Sequence, residues 1–100
     1  MRLKLMPEVT LTGHIVVPSS DLDAVMTELP IHIRSTRNEP GCIEFEVTHD
    51  EINPQMYHVR ERFDSTSAFL QHQNRVRTSK WGSITANAER HYTISGLDST

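Results

Sequence analysis

Two alternating runs joined by a short polar turn constrain this 100-residue chain more than anything else in it. The first run follows Glu39-Pro40-Gly41, a strong turn signal. It sets Ile43, Phe45 and Val47 against Glu44, Glu46 and Thr48. A period of two is the mark of a half-buried strand. In the second run Tyr57, Val59, Glu61 and Phe63 share one parity, and His58, Arg60 and Arg62 share the other. Asp50 to Pro54 supplies turn formers between them, so the pair reads as a hairpin. With the turn centred near Ile52, the acidic face of the first strand lies opposite the basic face of the second. Each such cross-strand pair is worth about 0.2–1 kcal/mol. The apolar and charge patterns specify the same register, because a one-residue slip breaks both.

The flanking segments complete a fold around this hairpin. Val9, Leu11, Ile15 and Val17 alternate with Thr10, Thr12 and His14 in a first strand closed by Pro18. Gly13 inside it marks a bulge or the close approach of another backbone. Ser20 heads a helix, and Ser20-Asp21-Leu22-Asp23 fits a capping box with Asp in place of Glu. Leu22, Val25, Met26, Leu29 and Ile33 form one apolar stripe along it. Pro30 lies within this pattern. Its missing amide and its clash with the Met26 carbonyl predict a kink or a break to 3₁₀ geometry between Met26 and Ile33. The helix should stop near Arg37-Asn38.

After the hairpin, Ser65 caps a second helix whose inner face is Ala68, Phe69, His72 and Val76. Arg75 to Trp81 is polar and suits a second short helix turned against the first, ended by Gly82. Ser83 to Ala88 is a connector. Arg90, Tyr92 and Ile94 then alternate with His91, Thr93 and Ser95 in a last strand stopped by Gly96. The order strand, helix, strand, strand, helix, strand is the α+β, ferredoxin-like βαββαβ arrangement, a four-stranded antiparallel sheet with two helices on one face. Residues 1–100 read as one domain, with a core over about 9–96 and a frayed tail over 97–100.

Composition excludes several classes. A formal charge of −3 argues against a nucleic-acid-binding surface as the main role. One cysteine, Cys42, rules out an internal disulfide and suits a reducing, cytoplasmic setting. No apolar run approaches the roughly 18 residues of a membrane span. Met1 to Met6 is too short and too charged for a signal peptide. Neither a Gly-rich phosphate loop nor a Gly-x-Ser-x-Gly elbow is present. Six histidines are present, yet His14, His32, His49, His58, His72 and His91 show no tight ligand spacing, so no native metal site is expected. His14 and His58 would meet on the open face of the sheet if their strands are neighbours.

Three segments resemble one family. Glu39-Pro40-Gly41-Cys42-Ile43-Glu44-Phe45 is similar to the EPGC-x-x-[YF] strand of antibiotic biosynthesis monooxygenase (ABM) domains. Val59 to Asp64 resembles their ERWED strand, with Phe63 where tryptophan is usual. Ala68 to His72 resembles their x-L-x-x-H helix. The order and spacing of all three, over roughly residues 9–96, carry the resemblance. It implies a dimeric α+β barrel in which two ferredoxin-like sheets pack face to face, with a small cavity between each sheet and its helices and no cofactor. Members include cofactor-free monooxygenases of phenols and quinols, haem-degrading enzymes and an enzyme that processes a small signalling molecule. Two departures stand out. The family's second histidine, after the one matched by His72, is replaced by Arg77, and Asn74 to Trp81 is more basic than usual.

Candidate chemistry then falls on a few residues. His72 suits a general base or a hydrogen-bond donor to a phenolic substrate; alternatively it is satisfied by a local backbone group. Glu61 points to the helix side, where a carboxylate is costly unless paired. It bonds to His72 or a helix amide, or it lines a polar cavity. Trp81, Phe45, Phe69 and Tyr57 suit a cavity wall, with Arg77 beside them, although Trp81 also suits a plain core anchor. Trp81 and His91 resemble the tryptophan and histidine of haem-degrading relatives, but His91 falls on the last strand. Cys42 reads as a small buried hydrophobe. The leading expectation is a cofactor-free oxygenase for a small aromatic substrate, with His72 as base and Glu61 orienting it. The rival is a non-catalytic ligand-binding or dimerisation module. The expected partners are that substrate and a second copy of the chain, docked on the open sheet face through Thr10, Thr12, His14, Glu44, Glu46, His58, Arg60 and Arg62. Neither nucleic acid nor membrane is expected.

Overall fold

The hairpin forms in the expected register in the computed structural model, which describes residues 7–97. The segment Met1–Met6 and the tail from residue 98, on which expectations were placed above, lie outside the described residues. Strands β2 (Cys42–His49) and β3 (Met56–Phe63) pair antiparallel with Glu44 opposite Arg62 and Glu46 opposite Arg60. Arg60 Nε donates to Glu44 Oε2 at 3.1 Å, and Arg62 Nη1 lies 3.6 Å from Glu44 Oε1. The turn is held by its own polar side chains. Asp50 Oδ2 accepts from the amides of Ile52 (2.9 Å) and Asn53 (2.7 Å), and Asn53 Oδ1 accepts from Gln55 N. These bonds and the His58 ring hold the Asp50 carboxyl at about 2, below its ordinary value.

Strand β1 (Val9–Val16) pairs with β3, and β4 (Glu89–Ser95) pairs with the other edge of β1, giving the order β2-β3-β1-β4. This is the ferredoxin-like topology expected from the element order. Val9, Leu11, Ile15 and Val17 are buried as the alternation predicts. Gly13 has φ 151°, and a Cβ there would sit 1.9 Å from the His91 carbonyl oxygen, so β1 and β4 approach too closely for any side chain.

Helix α1 (Leu22–Arg37) corrects three expectations. A 3₁₀ turn over Ser19–Asp21 precedes it, Asp21 is its N-cap, and no side chain caps it, so the Ser20 capping box does not form. The buried face carries Val25, Glu28, His32 and Thr36, whereas Met26 is 55% exposed. The apolar stripe is thus rotated, with Glu28, His32 and Thr36 at inner positions and Leu22, Leu29 and Ile33 only partly buried against the core. The helix also runs unbroken through Pro30, so the expected break to 3₁₀ geometry does not occur. Pro30 and Met26 share the exposed face, so water reaches the carbonyl that loses its amide partner.

One apolar residue of the hairpin departs from the pattern. A β-bulge between Cys42 and Glu44 leaves Ile43 43% exposed rather than under the helices. Cys42 is half-buried, packed against the core. Helix α2 (Thr66–Arg77) starts at Ser65, whose hydroxyl accepts from Ala68 N at 3.1 Å, as expected. A short α3 (Lys80–Ile84) follows, capped by Ser79, which accepts from Gly82 N. Gly82 therefore lies inside α3 and does not end the preceding segment. A Cβ there would stand 2.2 Å from the Val76 carbonyl, so glycine lets α3 fold tightly back on α2.

Candidate active site

A cavity of about 230 Å³ lies between the sheet and the helices. A cavity of roughly 150 Å³ already holds a benzene ring, so one substituted ring fits. Its floor comes from the sheet: Leu11 and Ile15 of β1, Phe45 and Val47 of β2, Val59 and Glu61 of β3. Its roof comes from His32 of α1, His72 and Val76 of α2, and Trp81 of α3. The two serine caps fix where α2 and α3 begin, and so place His72 and Trp81 over the same patch of sheet.

Glu61 is the most unusual residue of this wall. It sits on the middle of β3 with Phe45 opposite on one side and Leu11 on the other, and its carboxyl is buried. Burial, aided by the Glu39 charge, pushes its pKa up to about 8, and Oε1 has no hydrogen-bond partner. Glu61 is therefore predominantly a neutral acid at pH 7. His72 stands over it with Nε2 3.7 Å from Glu61 Oε1, too far for a hydrogen bond. The bond the imidazole does make is elsewhere: Nδ1 lies 2.8 Å from Glu39 Oε1. Glu39 is thus the carboxylate that orients His72, a role expected above for Glu61. Nδ1 donates to Glu39, which leaves Nε2 as an acceptor aimed toward Glu61 and the cavity. Desolvation lowers the His72 pKa against the opposing pull of Glu39.

Glu39 is itself held. Arg75 Nε donates to its second oxygen, and Arg75 Nη2 donates to Thr36 Oγ1 at 3.1 Å. An Arg75–Glu39–His72 chain thus runs from the surface to the cavity wall. His32, named in the sequence only among the unspaced histidines, stacks flat on Trp81 with ring centroids 4.5 Å apart and 4° between planes. It also meets Phe45 edge-on at 5.2 Å. Burial and the nearby His72 and Arg75 drop its pKa to about 3, so it is a neutral aromatic surface at pH 7.

The structure brings together four of the expected residues, Glu61, His72, Trp81 and Phe45, and separates three. Tyr57 is buried on the same side of the sheet but stacks on His49 at 4.5 Å and does not line the cavity. Phe69 packs edge-on against Phe63 at 5.9 Å in the core. Arg77 lies one turn beyond the wall, on an adjoining concavity. Phe69 is not a wall residue because helical spacing places it a turn before His72, over Phe63, and Tyr57 is not because it lies nearer the hairpin turn, opposite His49. His91 lies on the open face, stacked on His14 at 4.7 Å, so it and Trp81 do not share a site. Glu39 and His32 were missed as site residues. The Pro40-Gly41 turn beside Glu39 carried no hint that the carboxylate folds back onto α2, and His32 lay off the expected stripe. Among the described residues no group of three or more histidine, cysteine or acidic side chains is arranged to hold a metal ion.

Comparison with known proteins agrees with this architecture. The family model described as antibiotic biosynthesis monooxygenase matches residues 9–81. No curated protein matches the chain significantly. Among solved structures, a protein from Nitrosomonas europaea provisionally named for the same family superposes with a TM-score of 0.75 at 16% identity, covering 96% of this chain and 94% of its own. One from Deinococcus radiodurans, named in the same way, gives 0.75 at 18% identity over 92% and 94%. A conserved Bacteroides thetaiotaomicron protein of unknown function, described as a possible oxidoreductase, gives 0.76 at 12% over 91% and 98%. At these identities the structural likeness speaks for the fold, and the sequence-family match speaks for descent. The chain belongs to the antibiotic biosynthesis monooxygenase family.

Proposed function

We propose that this protein is a cofactor-independent monooxygenase acting on a small phenol- or quinol-like substrate. The observation that carries the reading is a ring-sized aromatic cavity containing a neutral histidine whose free nitrogen faces inward. A phenol bound against Trp81 and Phe45 loses its proton to His72 Nε2, and Glu39 stabilises the imidazolium that forms, just as it orients the neutral ring. The phenolate, unlike the phenol, is electron-rich enough to pass an electron to dioxygen. Recombination at a ring carbon gives a hydroperoxide, and loss of water from it leaves the oxygenated ring. Neutral Glu61 is placed to hydrogen-bond to the developing oxygen anion without adding a buried charge. Burial by the sheet and helices shields these charges from water.

Oxygen consumption with a panel of quinols and polyphenols tests this. Wild type should consume oxygen with at least one compound. His72→Ala should lose activity by roughly a hundredfold or more, the usual worth of a positioned base. Glu39→Gln should lose about tenfold or more, with the pH optimum displaced. A protein that binds a phenol yet consumes no oxygen with any compound is instead a ligand-binding module of the same fold.

The same reading includes a twofold dimer through the open sheet face. Every residue of β4 is exposed: His91 and Thr93 on the open face, and Tyr92 and Ile94 on the helix side at the sheet's edge. Tyr92 lines the cavity, so a partner that covers this edge also closes the site.

A further inference from the structure

The basic segment after His72 has no part in the chemistry above. This segment carries Arg75, Arg77 and Lys80, and Arg90 of β4 lines the cavity beside it. Two are engaged by carboxylates: Arg75 by Glu39, and Lys80 by Glu28 at 3.8 Å. Arg77 and Arg90 form no ion pair among the described residues. Arg77 Nη1 donates to Asn74 Oδ1 at 2.9 Å. Arg90 Nη1 donates to the Thr85 and Ala88 carbonyls, Nη2 donates to Thr85 Oγ1, and the guanidinium also hydrogen-bonds to the Tyr92 side chain, all neutral partners. Both arginines line one concavity, with Gln73, Val76, Gly82 and Ala86, and no acidic side chain is in its wall. Gln73, Val76 and Arg90 also line the aromatic cavity, so the two spaces adjoin.

We propose that this concavity is an anion subsite, so that the ligand is an aromatic acid whose carboxylate rests on Arg77 and Arg90 while its ring enters the cavity. The inference rests on the aromatic-ligand reading above and narrows it. An anion has one favourable place to sit. Among the described residues the interior offers it no free cation, since Arg75 is engaged by Glu39 and the cavity histidines are neutral at pH 7. The concavity offers spare guanidinium donors, including Arg77 Nη2, and guanidinium matches a carboxylate in planar geometry. It also explains why a chain of net charge −3 carries unpaired arginines at the cavity mouth.

Trp81 is the sole tryptophan and lines the cavity, so its fluorescence reports binding directly. The probes are para-hydroxyphenylacetate and its neutral amide, titrated without oxygen so that turnover plays no part. The acid should bind wild type about five- to tenfold tighter than the amide at low salt. High salt should erase the difference. Arg77→Gln should bring the ratio toward one with amide affinity retained; Arg90→Gln should also lower the ratio, and because Arg90 lines the aromatic cavity too, only the ratio is read for it. Arg90 also ties Thr85 to Ala88; should Arg90→Gln misfold, Arg77→Gln decides alone, because the Arg77 side chain is exposed and holds no other element in place. Equal binding of acid and amide by wild type, or an acid preference undiminished in Arg77→Gln, overturns the subsite and leaves the aromatic reading standing. Binding of neither probe overturns both.

Discussion

At Glu61 one carboxyl decides much of the site's electrostatics, and stability against pH exposes it. Its pKa in the folded chain, about 8, lies above the ordinary 4.5. The native state therefore keeps a proton that the unfolded chain loses, and stability falls as pH rises from 4.5 toward 8. His32 works the other way. Its pKa of about 3 lies below the ordinary 6.5, so stability falls as pH drops from 6.5 toward 3. The two slopes oppose each other between 4.5 and 6.5, and the lowered pKa of His72 adds to the second, so stability there should rise with pH. Glu61→Gln removes the first slope and leaves the second. The variant should gain on wild type by roughly a few kcal/mol between pH 5 and pH 8. Urea midpoints at pH 5, 6.5 and 8 measure this, and a constant gap between the two proteins would count against a neutral Glu61.

Among the elements, α1 carries the least expected feature, a proline in the middle of an unbroken helix. A regular interior proline costs about 3 kcal/mol relative to alanine. Its rigidity returns about 0.4–1 kcal/mol by restricting the unfolded chain. Pro30→Ala restores the amide that bonds to the Met26 carbonyl and should stabilise the protein by about 2 kcal/mol, read as a higher thermal midpoint. An unchanged midpoint would show that water already serves the carbonyl as well. The activity should not change, since Pro30 lies on the exposed face of α1, away from the cavity.

For the molecule as a whole, the proposed twofold dimer rests on the open face of the sheet. Its charges are matched across strands, with Arg60 and Arg62 on Glu44. A second copy would meet a face that is balanced rather than repulsive, so its polar pairs set orientation more than affinity. A single sheet with helices on one side also leaves much surface for a partner to bury. Sedimentation at micromolar concentration should give twice the 11.4 kDa chain mass, and Arg60→Glu, which puts like charges opposite each other, should weaken the dimer. A monomer unaffected by the substitution would refute the dimer.

The hairpin, its register, the element order and the burial of Val9, Leu11, Phe45, Val59 and Glu61 were legible in the sequence. All follow from alternation, which is local and reports which face of a strand a residue occupies. Ser65 was legible for a similar reason, since a cap acts within one turn. The bulge that turns Ile43 outward was not, nor the rotation of α1 that buries His32 and exposes Met26. Those depend on how a helix settles against a finished sheet. The Glu39–His72 bond joins residues 33 apart in sequence, and the Trp81–His32 stack joins α3 to α1. Periodicity could show that His72 and Glu61 face inward. Which carboxylate reaches the imidazole, and which one is left neutral between two apolar neighbours, was decided only when tertiary packing set the distances and removed the water.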